Sequence, residues 1–96
     1  MLKENLYKEG DTVSFKLSSG EEIVSRLEKE DENSFVLKKP MVLIAGAEGL
    51  GLAPFMFSVP ADGKFVIKAN SVSCVAKTET EIAKQYMAQT SGIQLV

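Results

Sequence analysis

Apolar and polar residues alternate along the first third of the chain. Val13, Phe15 and Leu17 are separated by single polar residues, and this period of two is typical of a strand buried on one face. The alternation resumes over residues 23–28, after a Ser-Ser-Gly sequence at 18–20 that favours a turn. The pattern therefore predicts a hairpin of two half-buried strands.

Further apolar or alternating segments predict more strands. These segments are 35–37 continued by 41–44, then 55–59, 65–67 and 72–75. Pro40 interrupts the first of them, as is typical of an edge strand or a bulge. The glycine-rich residues 45–54 predict a connection, and Asp62-Gly63 predicts a hairpin turn. Five or six short strands in so short a chain predict a small barrel, whose thin core would gain from neighbouring subunits.

The period of the apolar residues changes near the C-terminus. Ile82 and Tyr86 lie four residues apart, which is the spacing of apolar residues on one face of a helix. Thr78 followed by Glu81 matches a capping box, in which each side chain satisfies a backbone donor at a helix start. The sequence therefore predicts a helix over 78–91, which is short enough to need packing against the rest of the fold.

Composition favours one globular domain over residues 1–96. Apolar residues make up 45% of the chain and charged residues 25%, and there is no internal repeat or linker. Eleven lysines and arginines stand against thirteen acidic residues, for a net charge of −2. A strongly basic surface that binds nucleic acid non-specifically is excluded, because no large excess of positive charge is present to attract phosphate.

The chain lacks histidine and has one cysteine, Cys74. Histidine is the usual general base and the commonest metal ligand, so we predict a protein that is not an enzyme and uses no cofactor or metal. A single cysteine forms no intrachain disulfide, which fits a reducing cytoplasm, and its apolar strand predicts that Cys74 is buried. The one cluster suited to acid–base or metal chemistry is acidic, at Glu28, Glu30, Asp31 and Glu32. It is either a solvated loop or a site for a cation or a partner.

Residues 40–63 contain no lysine or arginine. Within them, 41–59 approaches the length of a membrane span, but three glycines and a proline break it, so we expect no membrane partner. The Gly-rich run at 46–51 lacks the lysine and spacing of a phosphate loop and fits a hairpin tip. Phe55 and Phe57 could stack on bases, although core or subunit packing is the alternative that we favour.

Two stretches of the chain resemble the motifs of the Sm-like (LSm or Hfq-related) proteins, of the kind carried by bacteria and their phages. Residues 13–39, VSFKLSSGEEIVSRLEKEDENSFVLKK, resemble the first Sm motif: a strand, a turn ending in glycine, an apolar strand, an acidic loop and another strand. Residues 65–75, FVIKANSVSCV, look like the second motif, an apolar strand, a short turn and a final apolar strand.

This resemblance implies a mainly β fold: a small, strongly bent, five-stranded Sm-like barrel. The C-terminal helix and an extended hairpin arm at 40–64, with legs at 41–44 and 55–59, are additions to that barrel. Sm-like subunits form rings by pairing the fourth strand of one copy with the fifth of the next. The resemblance therefore implies a homo-oligomeric ring, and the exposed apolar arm is a surface for packing between subunits or for a protein partner.

Sm-like rings bind short single-stranded RNA, often rich in U, by stacking and by hydrogen bonds to base edges. The base-contacting asparagine of the first motif falls at Ser34, with Asn33 beside it. The arginine and glycine of the second motif fall at Lys68 and Ala69, followed by Asn70. Lys68 keeps the positive charge of the arginine but not its planar fork. The resemblance implies RNA-binding residues at Asn33, Ser34, Lys68 and Asn70, and the alternative is an Sm-like scaffold that binds proteins without RNA.

Overall fold

The computed structural model describes residues 6–60 and 62–91. Its elements are β1 (Thr12–Leu17), β2 (Glu22–Glu30), β3 (Ser34–Gly46), β4 (Gly49–Pro54), β5 (Lys64–Lys68), a 3-10 turn (Ala69–Ser71), β6 (Val72–Lys77) and α1 (Thr80–Thr90). The strands form one antiparallel, unclosed sheet in the order β4-β3-β2-β1-β6, and β5 also pairs with β3. The predicted mainly β class and the C-terminal helix are confirmed.

The hydrophobic core lies on one face of this bent sheet. It is built from alternate positions of four strands: Val13, Phe15, Leu17, Ile23, Leu27, Phe35, Leu37 and Phe65. The rings of Phe15 and Phe35 meet edge to face, with their centroids 5.1 Å apart, an arrangement that adds to the free energy of burial.

Gly20 closes the turn between β1 and β2 with a φ of 112°, where a side chain would be strained. The predicted first hairpin is therefore confirmed.

Strand β3 contains a bulge at residues 39–40. Across the β2–β3 ladder, Val24 pairs with Met41 and Arg26 pairs with Lys38. Two residues of β3 thus lie opposite one residue of β2, which is the arrangement of a β-bulge. The bulge that a proline at this place predicts is present, and it bends the strand.

A buried tyrosine from α1 satisfies the backbone that the bulge leaves unpaired. The Tyr86 hydroxyl accepts a hydrogen bond from the Arg26 N–H (3.0 Å) and lies within donating distance of the carbonyls of Lys38 (3.0 Å) and Lys39 (2.8 Å). Burial raises the pKa of the Tyr86 phenol, so the hydroxyl keeps its proton and can donate. The Lys39 ammonium also donates to the carbonyl of Thr90, at 2.6 Å. These bonds fix the end of α1 to the bulge.

The bulge allows β3 to pair with two different strands along the same edge. Residues 34–38 pair with β5, and 41–46 pair with β4. The second pair forms a hairpin arm within the predicted segment 40–64. The prediction that 55–59 is the second leg is wrong, because that leg is β4. The sheet has six strands over the part of the chain described. The sequence pattern predicts five or six, and the resemblance to Sm-like proteins implies a five-stranded barrel with the arm added to it.

The glycine-rich residues 45–54, predicted as a connection, form a strand, and residues 55–59, predicted as a strand, form a connection. Gly46 pairs with Gly49, whose φ of 112° closes a tight turn, so the glycines continue into a strand. Pro54 ends β4, and β4 and β5 already occupy the edge of β3. The Phe55 N–H still donates to the Pro40 carbonyl at 3.1 Å, but residues 56–59 form no strand. Phe55 packs against the core, whereas Phe57 is 86% exposed.

The start of α1 differs from the predicted capping box. The helix is capped by the Glu79 carboxylate, which accepts hydrogen bonds from the N–H groups of Glu81 (3.1 Å) and Ile82 (3.0 Å). Thr78 is buried instead, and its hydroxyl lies 2.8 Å from that of Ser14. The threonine thus joins the helix to the sheet, and the glutamate after it takes the capping role.

The prediction that Cys74 is buried is wrong. Cys74 pairs across the sheet with Lys16, and both side chains are exposed. Its neighbour Val75 pairs with Phe15 and packs against the core. Cross-strand partners share a face of the sheet, so the register, which a single sequence does not show, places the thiol outside.

Among residues 6–60 and 62–91, α1 is too short and too polar to cross a bilayer, and no other helix there qualifies.

Candidate functional site

Two loops that are distant in sequence meet at one end of the sheet. The turn between β2 and β3 contacts the 3-10 turn after β5, because Ser34 pairs with Lys68 and the Ala69 N–H donates to the Asn33 carbonyl at 2.8 Å. Together the loops form an open depression of about 580 Å³, lined by Glu32, Asn33, Lys68, Ala69 and Asn70. Three of the four predicted site residues therefore line one surface, and Ser34 lies beside it in the ladder.

The first of these loops is ordered by Asp31. Its carboxylate accepts hydrogen bonds from the N–H groups of Asn33 (2.8 Å) and Ser34 (2.9 Å) and from the Ser34 hydroxyl (3.3 Å). Such a turn holds the backbone by a side chain rather than by a ladder. The Ser34 hydroxyl is thus already engaged, and the fixed backbone presents the Asn33 side chain at the depression.

The second loop presents a lysine and an amide. The Ser71 hydroxyl donates to the Lys68 carbonyl at 2.8 Å and steadies the turn. In residues 6–60 and 62–91, no salt bridge involves Lys68 and no hydrogen bond involves the side-chain amides of Asn33 and Asn70. Each amide can donate and accept, and the ammonium attracts phosphate. The depression therefore offers groups suited to both base edges and phosphate.

Glu32 lines the same depression and was assigned by the sequence pattern only to the acidic loop. Its carboxylate opposes the positive charge of Lys68, so attraction of phosphate to this surface is weak and short-ranged. The only feature of the sequence that indicates a place for Glu32 in this depression is its position directly before Asn33.

The other carboxylates of the acidic loop have separate structural partners. Glu28 lies 3.8 Å from the Lys64 ammonium, and Glu30 accepts a hydrogen bond from the Tyr7 hydroxyl at 3.2 Å. Across the described ranges, no three histidine, cysteine or acidic side chains are grouped so that they could hold a metal ion. The acidic loop is held by a salt bridge, a hydrogen bond and the Asp31 turn.

Protonation of Asp31 is expected to release this turn. The backbone hydrogen bonds from Asn33 and Ser34 lower the pKa of Asp31 below its ordinary value. The stabilisation is present above the unfolded pKa, about 3.9, and is lost as the pH falls through the lower folded pKa. An NMR titration should show the amide resonances of Asn33 and Ser34 moving together with the Asp31 carboxyl resonance. Amide shifts that do not follow that carboxyl would contradict this assignment.

The arrangement pairs free amides with one cation at a surface shaped by two loops. No known protein family and no curated protein matches this chain.

Proposed function

We propose that the chain is an Sm-like, ring-forming protein that binds short single-stranded RNA and is not an enzyme. The observation that carries the proposal is the convergence of Asn33, Lys68 and Asn70 on one depression. Free amides match the hydrogen-bonding edges of unpaired bases, and a single lysine supplies a phosphate contact. The proposal includes a cytoplasmic location, based on the single cysteine.

The sheet supports the ring in two ways. Without the arm strand β4, the strand path is β5-β3-β2-β1-β6, a five-stranded order with bulges in β2, β3 and β6 that bend it as a small barrel requires. Within the residues described, β5 pairs only with β3 and β6 only with β1. Each end of the path thus has a free edge, and head-to-tail pairing of two different edges closes into a ring when the rotation is right.

Binding of fluorescent U-rich and A-rich oligonucleotides tests the RNA site. We expect salt-sensitive binding at micromolar protein. Lys68→Ala should weaken it and reduce the slope of log affinity against log salt by about 1, because one phosphate contact is lost. Lys84→Ala is the matched control, since Lys84 is an exposed lysine on α1 whose ion partner is Glu81. It should leave both the affinity and the slope nearly unchanged.

The absence of salt-sensitive binding would remove the RNA proposal. Equal losses in the Lys68→Ala and Lys84→Ala variants would show that binding is non-specific and does not use the depression. The ratio of absorbance at 260 and 280 nm of the unwashed protein is an independent check, because RNA that copurifies raises it.

The second candidate function is an Sm-like scaffold that binds proteins and no RNA. It is favoured by exposed apolar side chains along the arm and the segment after it: Ile44 is 51% exposed, Leu50 49% and Phe57 86%. Apolar patches of this kind are typical of interaction surfaces. An oligomer that binds neither oligonucleotide would favour the scaffold, and the predicted partner surface would then be 41–59.

A further inference from the structure

Positive charges gather where β3 bends. Arg26 pairs with Lys38 across the β2–β3 ladder, and Lys38 pairs with Lys64 across the β3–β5 ladder, so three cations stand in one row. Lys64 has a carboxylate partner, Glu28, at 3.8 Å. Over residues 6–60 and 62–91, Arg26 and Lys38 are in no salt bridge. Like charges directly opposite each other destabilise a sheet, and the Glu28 carboxylate offsets this repulsion only at the Lys64 end of the row.

A cavity of about 250 Å³ opens at this row. It is lined by Arg26, Lys38, Lys39, Tyr86, Met87, Thr90 and Ser91. Three of these seven residues are cations and none is acidic, although the whole chain has a net charge of −2. The cavity is therefore a local exception to the acidic character of the molecule.

The cavity has three cations, and only Lys39 has its charge paired with the end of α1. Lys39 donates to the Thr90 carbonyl at 2.6 Å and neutralises the partial negative charge of the helix C-terminus. Arg26 and Lys38 take part through their backbones in the hydrogen bonds to Tyr86, which do not need charged side chains. A neutral residue could supply the same backbone contacts, so the charges of Arg26 and Lys38 call for another partner.

We propose that this cavity binds a phosphate group. Its volume is below the range of typical organic-ligand pockets, about 300–1,000 Å³, and so suits a compact anion. The Arg26 guanidinium presents a planar fork that matches two phosphate oxygens, and Lys38 adds a point charge beside it. Lys39, bonded to the Thr90 carbonyl, offsets part of the negative charge that the C-terminus of α1 turns towards the cavity. The site does not depend on the proposed RNA function, because the phosphate belongs either to a small molecule or to a nucleic-acid strand.

Titration with inorganic phosphate at constant ionic strength tests this site. The chain has a single arginine, so its side-chain Nε–H gives one unambiguous NMR resonance. We expect that resonance to shift and to saturate with phosphate. A shift that rises linearly without saturating in the unaltered protein would overturn the proposal, whatever the behaviour of any variant.

The variant Lys38→Gln keeps most of the aliphatic stem and the backbone contacts. It should weaken phosphate binding roughly tenfold or more, as expected for loss of a hydrogen bond to a charged group. Lys16→Gln, at an exposed position on β1 outside the cavity, is the matched control and should bind as the unaltered protein does. Equal affinities in the two variants would overturn the site, and their amide spectra report whether each one is folded.

Short oligonucleotides with and without a 5′-phosphate separate the two sources of the phosphate. Tighter binding of the phosphorylated form, lost in Lys38→Gln, assigns the site to a nucleic-acid end. Equal binding of both forms, or of neither, together with saturable inorganic phosphate binding assigns it to a small phosphate ligand. Phosphate binding that persists when neither oligonucleotide binds would remove the RNA proposal and leave this site standing.

Discussion

If the protein forms the proposed ring, proline in place of Lys77 is expected to convert it into single chains of 10.4 kDa. The Thr78 N–H donates to the Thr12 carbonyl at 3.1 Å, so the alternation of a strand directs the Lys77 N–H away from β1 and towards the free edge of β6. Proline has no N–H and cannot donate to a strand added there. Light scattering after size exclusion measures the mass.

Lys77→Ala is the control for this substitution. It removes the same surface ion pair, Lys77 with Asp11 at 3.9 Å, which contributes little to stability, but it keeps the backbone donor. The alanine variant should retain the mass of the unaltered protein. An unchanged mass in the proline variant would show that β6 is not the pairing edge. A single-chain mass for the unaltered protein would remove the ring itself.

Phenylalanine in place of Tyr86 is expected to lower the free energy of unfolding by about 1–3 kcal/mol. Tyr86 is 1% exposed, and its hydroxyl is bonded to the bulge backbone at Arg26, Lys38 and Lys39. Removing it leaves buried backbone groups with fewer partners, which costs more than the loss of an exposed hydrogen bond. Urea unfolding followed by circular dichroism measures the difference.

The chain offers a matched control in its only other tyrosine. The Tyr7 ring is half-buried, but its hydroxyl donates to Glu30 in a solvent-exposed hydrogen bond, so Tyr7→Phe should change stability by less than about 0.5 kcal/mol. Equal effects of the two substitutions would contradict the role given to Tyr86. Because burial raises the pKa of Tyr86, its stabilisation is present below the ordinary value of about 10 and is lost as the pH rises through the folded pKa.

The sequence predicts best those elements whose pattern is local. The alternation at Val13, Phe15 and Leu17 gives β1 and the buried face correctly, because a strand with one buried face fixes its own period. The arm strand β4 is missed, since glycines weaken the strand pattern and its pairing with β3 supplies what the residues lack. Residues 55–59 have the pattern of a strand, but beyond Phe55 the edge of β3 next to them is already paired with β4 and β5.

The candidate site residues were likewise predicted only in part from the sequence. Asn33, Lys68 and Asn70 were predicted through the resemblance to the Sm motifs, and the structure brings them to one depression. Arg26 and Lys38 were not predicted, because only the bulge and the β2–β3 register set them side by side. The exposure of Cys74 depends on the register of β6 with β1 in the same manner. Long-range register is not readable from one sequence.

The bulge at residues 39–40 also divides the molecule mechanically. Every residue of the core cluster lies outside the arm pairing of 41–46 with 49–54. Met41 and Val42 still pair with Val24 and Ile23 of β2, but residues 43–46 pair only with β4. We therefore expect the amides of the outer arm to exchange with solvent at a lower free energy than those of β1 and β2. The outer half of the arm is thus a local unit that can open without exposing the core, and β3 connects the two by running through both.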